Sequence, residues 1–136
     1  MTKQIWINLP VKDINKSKAF FTQIGFTFNE GAGNTENSAC MMIGAKQVVV
    51  MLFIETMFKG FINHTITDTQ ASNEVLFSID AESREEVDAM AIKIVDAGGE
   101  LYSKPAENQG WMYGCGFKDL DGHRWNILYM DMSKMG

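Results

Sequence analysis

The sequence predicts an α+β fold: two tandem βαβββ modules forming a curved, mostly antiparallel sheet around a groove. Three observations predict it. Residues 4–10 form a short β-rich run that leads through Lys12-Asp13 into a helical stretch closed by Gly25. Residues 74–80 form a second such run, which leads into a helical stretch closed by Gly98-Gly99. Strand-like runs then follow each helix in the same order, so the pattern repeats roughly every 65 to 70 residues. Two copies of a unit that cannot bury its own sheet face imply one domain, residues 1–136, with the site in the groove between the copies.

The elements follow in order. In residues 4–9, Ile5, Ile7 and Leu9 fall on one face of a strand and Trp6 and Asn8 on the other. Pro10 marks that strand as ending or lying at an edge. Asp13 or Asn15 caps the first helix, with Ile14, Phe20, Phe21 and Ile24 as its apolar stripe. Residues 26–28, 38–43 and 47–54 read as strands. Residues 30–37 read as a turn or mobile loop, and no lysine follows their glycines as a phosphate loop would require. Residues 55–72 are least regular, a crossover with room for a short helix, serving as packed connector or lid. Ser83-Arg84-Glu85-Glu86 fits a capping box, and Val87, Met90, Ala91, Ile94 and Val95 form a core-facing stripe. Residues 100–102, 111–117 and 124–130 read as strands, the last two joined by a turn at Asp121-Gly122.

Composition narrows the function classes. A 46% apolar and 21% charged chain is ordinary for a globular domain. No apolar run is long enough to span a membrane, and no apolar signal region opens the chain. Net charge is −5 with no basic stripe, which argues against nucleic acid. Cys40 and Cys115 sit in apolar strand-like runs and read as reduced thiols, consistent with a cytoplasmic setting.

Three stretches together resemble the vicinal oxygen chelate superfamily. They are Leu9-Pro10-Val11-Lys12-Asp13 with Ser17 and Phe20-Phe21, then Ala97-Gly98-Gly99, then Lys118-Asp119-Leu120-Asp121-Gly122-His123. In the last, Leu120 replaces the family's usual proline. The likeness covers about residues 3–131, as repeats 3–62 and 73–131. Glyoxalase I, extradiol dioxygenases, fosfomycin-modifying enzymes and bleomycin resistance proteins share this fold. The resemblance implies one His, Glu or Gln metal ligand on the first and last strand of each repeat. Those positions hold Trp6, Met51 (or a near neighbour), Glu74 and Asn126. Only Glu74 is an ordinary ligand for a divalent ion, so no metal site and no cofactor are expected.

The neighbours of those positions then suggest an aromatic groove with polar anchors. Trp6 and Trp111 would stack on a planar ligand, with Met51 and Phe53 also facing the groove. Asn8, Asn126 and Tyr113 would hold the ligand by hydrogen bonds. On the adjacent strand, either Trp111, Tyr113 and Cys115 or Met112 and Gly114 face inward. Glu74, half-buried among aromatics, would bind a cationic group or act as a catalytic base with a raised pKa. Each residue has a plainer reading: Trp6 as core or dimer interface, Met51 and Phe53 as core, Asn126 as partner to the backbone, Glu74 as a solvated strand end. Asp119 and Asp121 read as turn formers.

Three functions follow. The first is a metal-free, bleomycin-resistance-like protein binding a small planar molecule. The second is a glyoxalase-like lyase or isomerase, or a dioxygenase, which needs a metal. The third is a protein-interaction module whose groove is filled by side chains. A homodimer is expected from the resemblance.

Overall fold

The Asp13 carboxylate accepts the Lys16 backbone N–H at 2.9 Å, pairing one of the amides that a helix start leaves open. In this computed structural model, which describes residues 1–134, the helix it caps is α1, Ile14–Gln23. Strand β1 (Ile7–Val11) precedes α1; β2 (Thr27–Asn29), β3 (Ser38–Ile43) and β4 (Val48–Ile54) follow it. They form a sheet in the order β1-β4-β3-β2, with β1 and β4 parallel and the other pairs antiparallel. Helix α2 (Glu55–Ile62) continues directly from β4 and occupies the first part of the expected crossover.

From Asp68 onward the chain forms a second compact unit, the first ending at Thr67. It contains β5 (Leu76–Asp80), α3 (Arg84–Asp96), β6 (Glu100–Asn108), β7 (Met112–Lys118) and β8 (Arg124–Met130), then a short 3-10 turn at Met132–Lys134. The sheet order is β5-β8-β7-β6, again with the first and last strands parallel. The topology of the first unit is thus repeated, and the α+β fold of two βαβββ modules is the one the sequence predicts. The strands form two four-stranded mixed sheets, neither of them closed.

Each sheet packs one face against its own helix. In the first unit Leu9, Val11, Ala39, Met41, Val50 and Leu52 are buried with Phe20 and Phe21 of α1. In the second, Cys115, Phe117, Trp125 and Ile127 are buried with Val87, Ala91 and Ile94 of α3. Trp125 stacks parallel to Phe117 at 6.0 Å and lies 4.6 Å from Phe77. Such fully buried side chains contribute about 1.5–3 kcal/mol each through apolar burial.

Three elements differ from expectation. β1 begins at Ile7 and runs through Pro10. A proline is tolerated there because β1 is an edge strand and needs its backbone bonds on one side only. β6 is far longer than residues 100–102 and carries Pro105, also on an edge, with register shifts after Leu101 and Ser103. The capping box at α3 is offset: Ser83 Oγ accepts the Glu86 N–H at 3.1 Å, while Glu86 accepts the N–H of Glu82 at 3.3 Å. Val95, expected in the core stripe, is 53% exposed. Among the described residues no helix is long and apolar enough to cross a membrane.

Candidate functional site

Strand register sorts the candidate residues by face. In the first unit Asn8 pairs with Met51, Met51 with Cys40, and Cys40 with Asn29. This row lies on the face away from α1, because the alternate residues Leu9, Leu52 and Met41 are buried against it. The next row on the same face is Pro10, Phe53 and Ser38. Two parts of the unit's own chain approach this face. Gly33, in the loop before β3, lies so close that a Cβ there would meet Cys40 Cβ at 3.2 Å and Met51 Cε at 3.3 Å. Phe61 of α2 packs edge-on to Phe53 at 4.9 Å. Met51 and Phe53 therefore contact their own unit, but both are half-buried on the face away from α1 and neither belongs to the buried core. Trp6 lies just outside β1 and is 55% exposed.

In the second unit Ser78 pairs with Asn126 across β5 and β8. Asn8 and Ser78 each stand five residues before their helix cap, so Met51 and Asn126 hold equivalent places in the two units. Glu74 falls outside this equivalence. It is four residues ahead of Ser78, in the bend before β5, and exposed rather than half-buried among aromatics. The geometry does not bring it to Asn126.

Tyr113 and Asn126 face opposite sides of the sheet. The Tyr113 hydroxyl donates to Asp88 Oδ1 of α3 at 2.6 Å, and Tyr113 shares its side with buried Cys115 and Phe117. Of the two settings open for β7, the one with Met112 and Gly114 alongside Asn126 and Leu128 is observed. Trp111 precedes β7, half-buried, and its carbonyl accepts the Asp131 N–H at 2.7 Å.

The face away from α3 carries residues that the sequence reading passed over. Tyr102 of β6 donates its hydroxyl to Asn126 Oδ1 at 3.2 Å. Its ring lies flat against Gly116, where a Cβ would come within 2.5 Å of Tyr102 Cζ. The Arg124 guanidinium sits 4.4 Å from the centre of the same ring. Lys118, opposite Arg124 on β7, is paired with Glu100 at 2.8 Å. Burial raises the pKa of Tyr102, opposed by the Arg124 charge, so its hydroxyl keeps its proton at neutral pH. Arg124 stands two residues before Asn126 on one strand, so the period-two rule that selected Asn126 and Leu128 reaches it as well.

The four inherited ligand positions do not fit a divalent metal. Trp6 offers only an N–H donor and Met51 a soft thioether. Asn126 Oδ1, the atom that would face a metal, already accepts the Tyr102 hydroxyl. Among the described residues no group of three or more His, Cys, Asp and Glu side chains is placed to hold a metal ion. His64 follows α2 and accepts the Thr65 N–H at 2.8 Å, while His123 is buried in the β7–β8 turn.

Comparison with known proteins adds the following. Residues 3–44 match a family model described as bleomycin resistance protein-like N-terminal. A solved structure from S. aureus, hypothetical protein SA1046, is 35% identical over 95% of this chain and 94% of that one, with a TM-score of 0.84. A glyoxalase-related enzyme from Fulvimarina pelagi is 17% identical over 94% and 88%, with a TM-score of 0.80. The genomically encoded fosfomycin resistance protein FosX from Listeria monocytogenes is 18% identical over 98% and 97%, with a TM-score of 0.71. No curated protein matches this chain.

Proposed function

This chain belongs to the glyoxalase/bleomycin resistance/dioxygenase superfamily, the vicinal oxygen chelate fold, and from that premise we propose that it binds a small planar molecule without a metal. The observation that carries the reading is the Tyr102–Asn126 hydrogen bond. At the last-strand position, where the resemblance calls for a metal-binding carboxylate, stands an amide whose oxygen is held by a phenol. That fixes the amide's orientation and turns its N–H groups outward as donors. An oriented amide beside an aromatic ring suits recognition of a small molecule. In the first unit Met51 and Phe53 are partly occupied by contacts with Gly33 and Phe61 of their own chain, whereas the second unit offers the oriented amide. The exposure of Glu74 lends nothing to the reading in which it serves as a base.

Two measurements test the proposal together. One is the metal content of protein purified without chelator or affinity-tag nickel, with thermal shifts in Mn²⁺, Ni²⁺, Zn²⁺ and Fe²⁺. The other is a thermal-shift screen of planar compounds and antibiotics, bleomycin included, with and without EDTA. The expected result is sub-stoichiometric metal and a ligand shift that EDTA leaves unchanged. Near-stoichiometric metal, or binding abolished by EDTA, would restore the lyase or dioxygenase reading. A screen with no hits would favour the interaction module.

A further inference from the structure

We propose that Arg124, Tyr102, Asn126 and Ser78 form an oxyanion subsite on the face of the second sheet away from α3, taking the carboxylate of a planar ligand. This deepens the small-molecule reading and rests on it.

Lys118 and Arg124 are directly opposed across β7 and β8. Like charges so placed destabilise a strand pair. One carboxylate, Glu100, lies beside them, and it is engaged by Lys118 at 2.8 Å. Among the described residues Arg124 has an aromatic ring at 4.4 Å and no ion pair within 4 Å, although the Glu100 charge, held mainly by Lys118, also reaches it. The ring attracts the guanidinium by a cation–π contact but leaves its N–H donors unengaged by that contact. Those donors are arranged in a fork that matches a carboxylate.

The neighbours are donors too. Asn126 has its oxygen committed to Tyr102, so its amide N–H groups are what it offers a ligand. Ser78, opposite Asn126 and exposed, adds a hydroxyl. Gly116 leaves room for Tyr102 to lie on the sheet, which sets the height of the Arg124 guanidinium above it. Donors therefore outnumber acceptors here, against the direction of the chain's net charge of −5. A cationic ligand, the expectation drawn from Glu74 and the acidic balance, would meet the Lys118 and Arg124 charges here, with Glu100 the carboxylate beside them already engaged by Lys118.

An isosteric series tests the assignment: benzoate, benzamide and benzamidine, titrated by calorimetry into the full-length protein at low salt. Benzoate should bind at least tenfold more tightly than benzamide, with benzamidine weakest, and affinity should fall with added NaCl. Arg124→Gln should weaken benzoate at least tenfold and benzamide, which loses only a hydrogen bond to a neutral oxygen, by much less. Arg124→Lys should recover only part of the loss, because an ammonium keeps the charge without the fork. Tyr102→Phe keeps the ring but frees the Asn126 amide, and should weaken benzoate two- to fivefold. The melting temperature of each variant shows whether it is folded. If benzamide or benzamidine binds as well as benzoate, or if folded Arg124→Gln binds benzoate like the parent, the subsite is wrong and the small-molecule reading stands. If none of the three binds, the subsite is also wrong, and the wider planar-compound screen decides the reading beneath it.

Discussion

The Asp119 carboxylate accepts the Trp125 indole N–H at 3.1 Å, tying the turn between β7 and β8 to the largest side chain of the second core. Its other oxygen accepts the backbone N–H groups of Asp121 at 2.9 Å and His123 at 3.0 Å. Burial pushes this carboxyl's pKa up, opposed by His123 and by the indole N–H. Asp119 thus does more than form the turn, the role its sequence position suggested. Asp119→Ala removes an acceptor shared by two buried donors and one part-buried donor, and a loss of about 3 kcal/mol is expected. Asp119→Asn keeps one acceptor oxygen and should lose less. Urea denaturation of both variants, compared at constant m-value, measures this order.

Cys115 gives the pH dependence. It is 4% exposed, and burial pushes its thiol up to about 11. In the unfolded chain the same thiol ionises near ~8.5. Because the folded form holds the proton longer, its contribution to stability is whole below the unfolded value and is lost as pH rises through about 11. The parent's melting temperature should therefore fall more between pH 9 and 11, roughly the interval between those two values, than that of Cys115→Ala. Iodoacetamide at pH 8 should label Cys40 well before Cys115, by peptide mass analysis. Roughly one Cys115 in a thousand is then thiolate.

The two glycines of β7 should respond differently to alanine. A Cβ at Gly114 meets the Ile127 carbonyl oxygen at 2.5 Å, a backbone atom of the paired strand that cannot yield. Gly114→Ala is expected to cost about 2–3 kcal/mol. A Cβ at Gly116 meets the far end of the Tyr102 ring, which can swing away. Gly116→Ala should cost under ~1 kcal/mol in stability but lift Tyr102 from Asn126 and Arg124. Its benzoate affinity should drop as in Arg124→Gln, whereas neutral planar probes tolerate the change. Thermal melts and titrations on the same samples separate the two effects.

Helix α2 is held weakly. It has no buried residue, no side-chain cap at Ile54, and one ring contact, Phe53 with Phe61. Backbone amides of Glu55–Ile62 should exchange with deuterium at least tenfold faster than those of α1 and α3. Phe61→Ala should speed that exchange and change global stability by less than ~1 kcal/mol.

Local chemistry was legible in the sequence, and face assignment less so. Asp13 and Ser83 could be named as caps because capping depends on a side chain and the amides of the next turn. The bounds of β3 and β8 follow from runs of residues that fit a strand and the breakers beside them. The side taken by Tyr113 was not readable. Glycines at 114 and 116 erase the apolar alternation that would have set the phase of β7, and the reason for those glycines is Leu128 and Tyr102, contributed by other strands. Tyr102 and Arg124 lie inside strands that the sequence does predict, 100–102 and 124–130; what it does not show is that β6 and β8 flank β7 and so bring the two side chains together on one face. Glu74 was favoured on chemistry alone, as the lone carboxylate in the inherited set, and the register leaves it outside the sheet.

The parallel pairing of the first strand with the last in each unit also governs how the chain is made. β1 leaves the ribosome early but has no partner until β4 follows it, and β5 must wait likewise for β8. Each sheet therefore closes in a single late step, when its final strand slots between the first strand and the hairpin already formed. Synthesis should yield two such closures, the earlier one complete while the second half is still emerging. A nascent chain stalled inside β8 would carry β7 with one edge bare and β5 with no neighbour at all, the state most open to pairing with another chain.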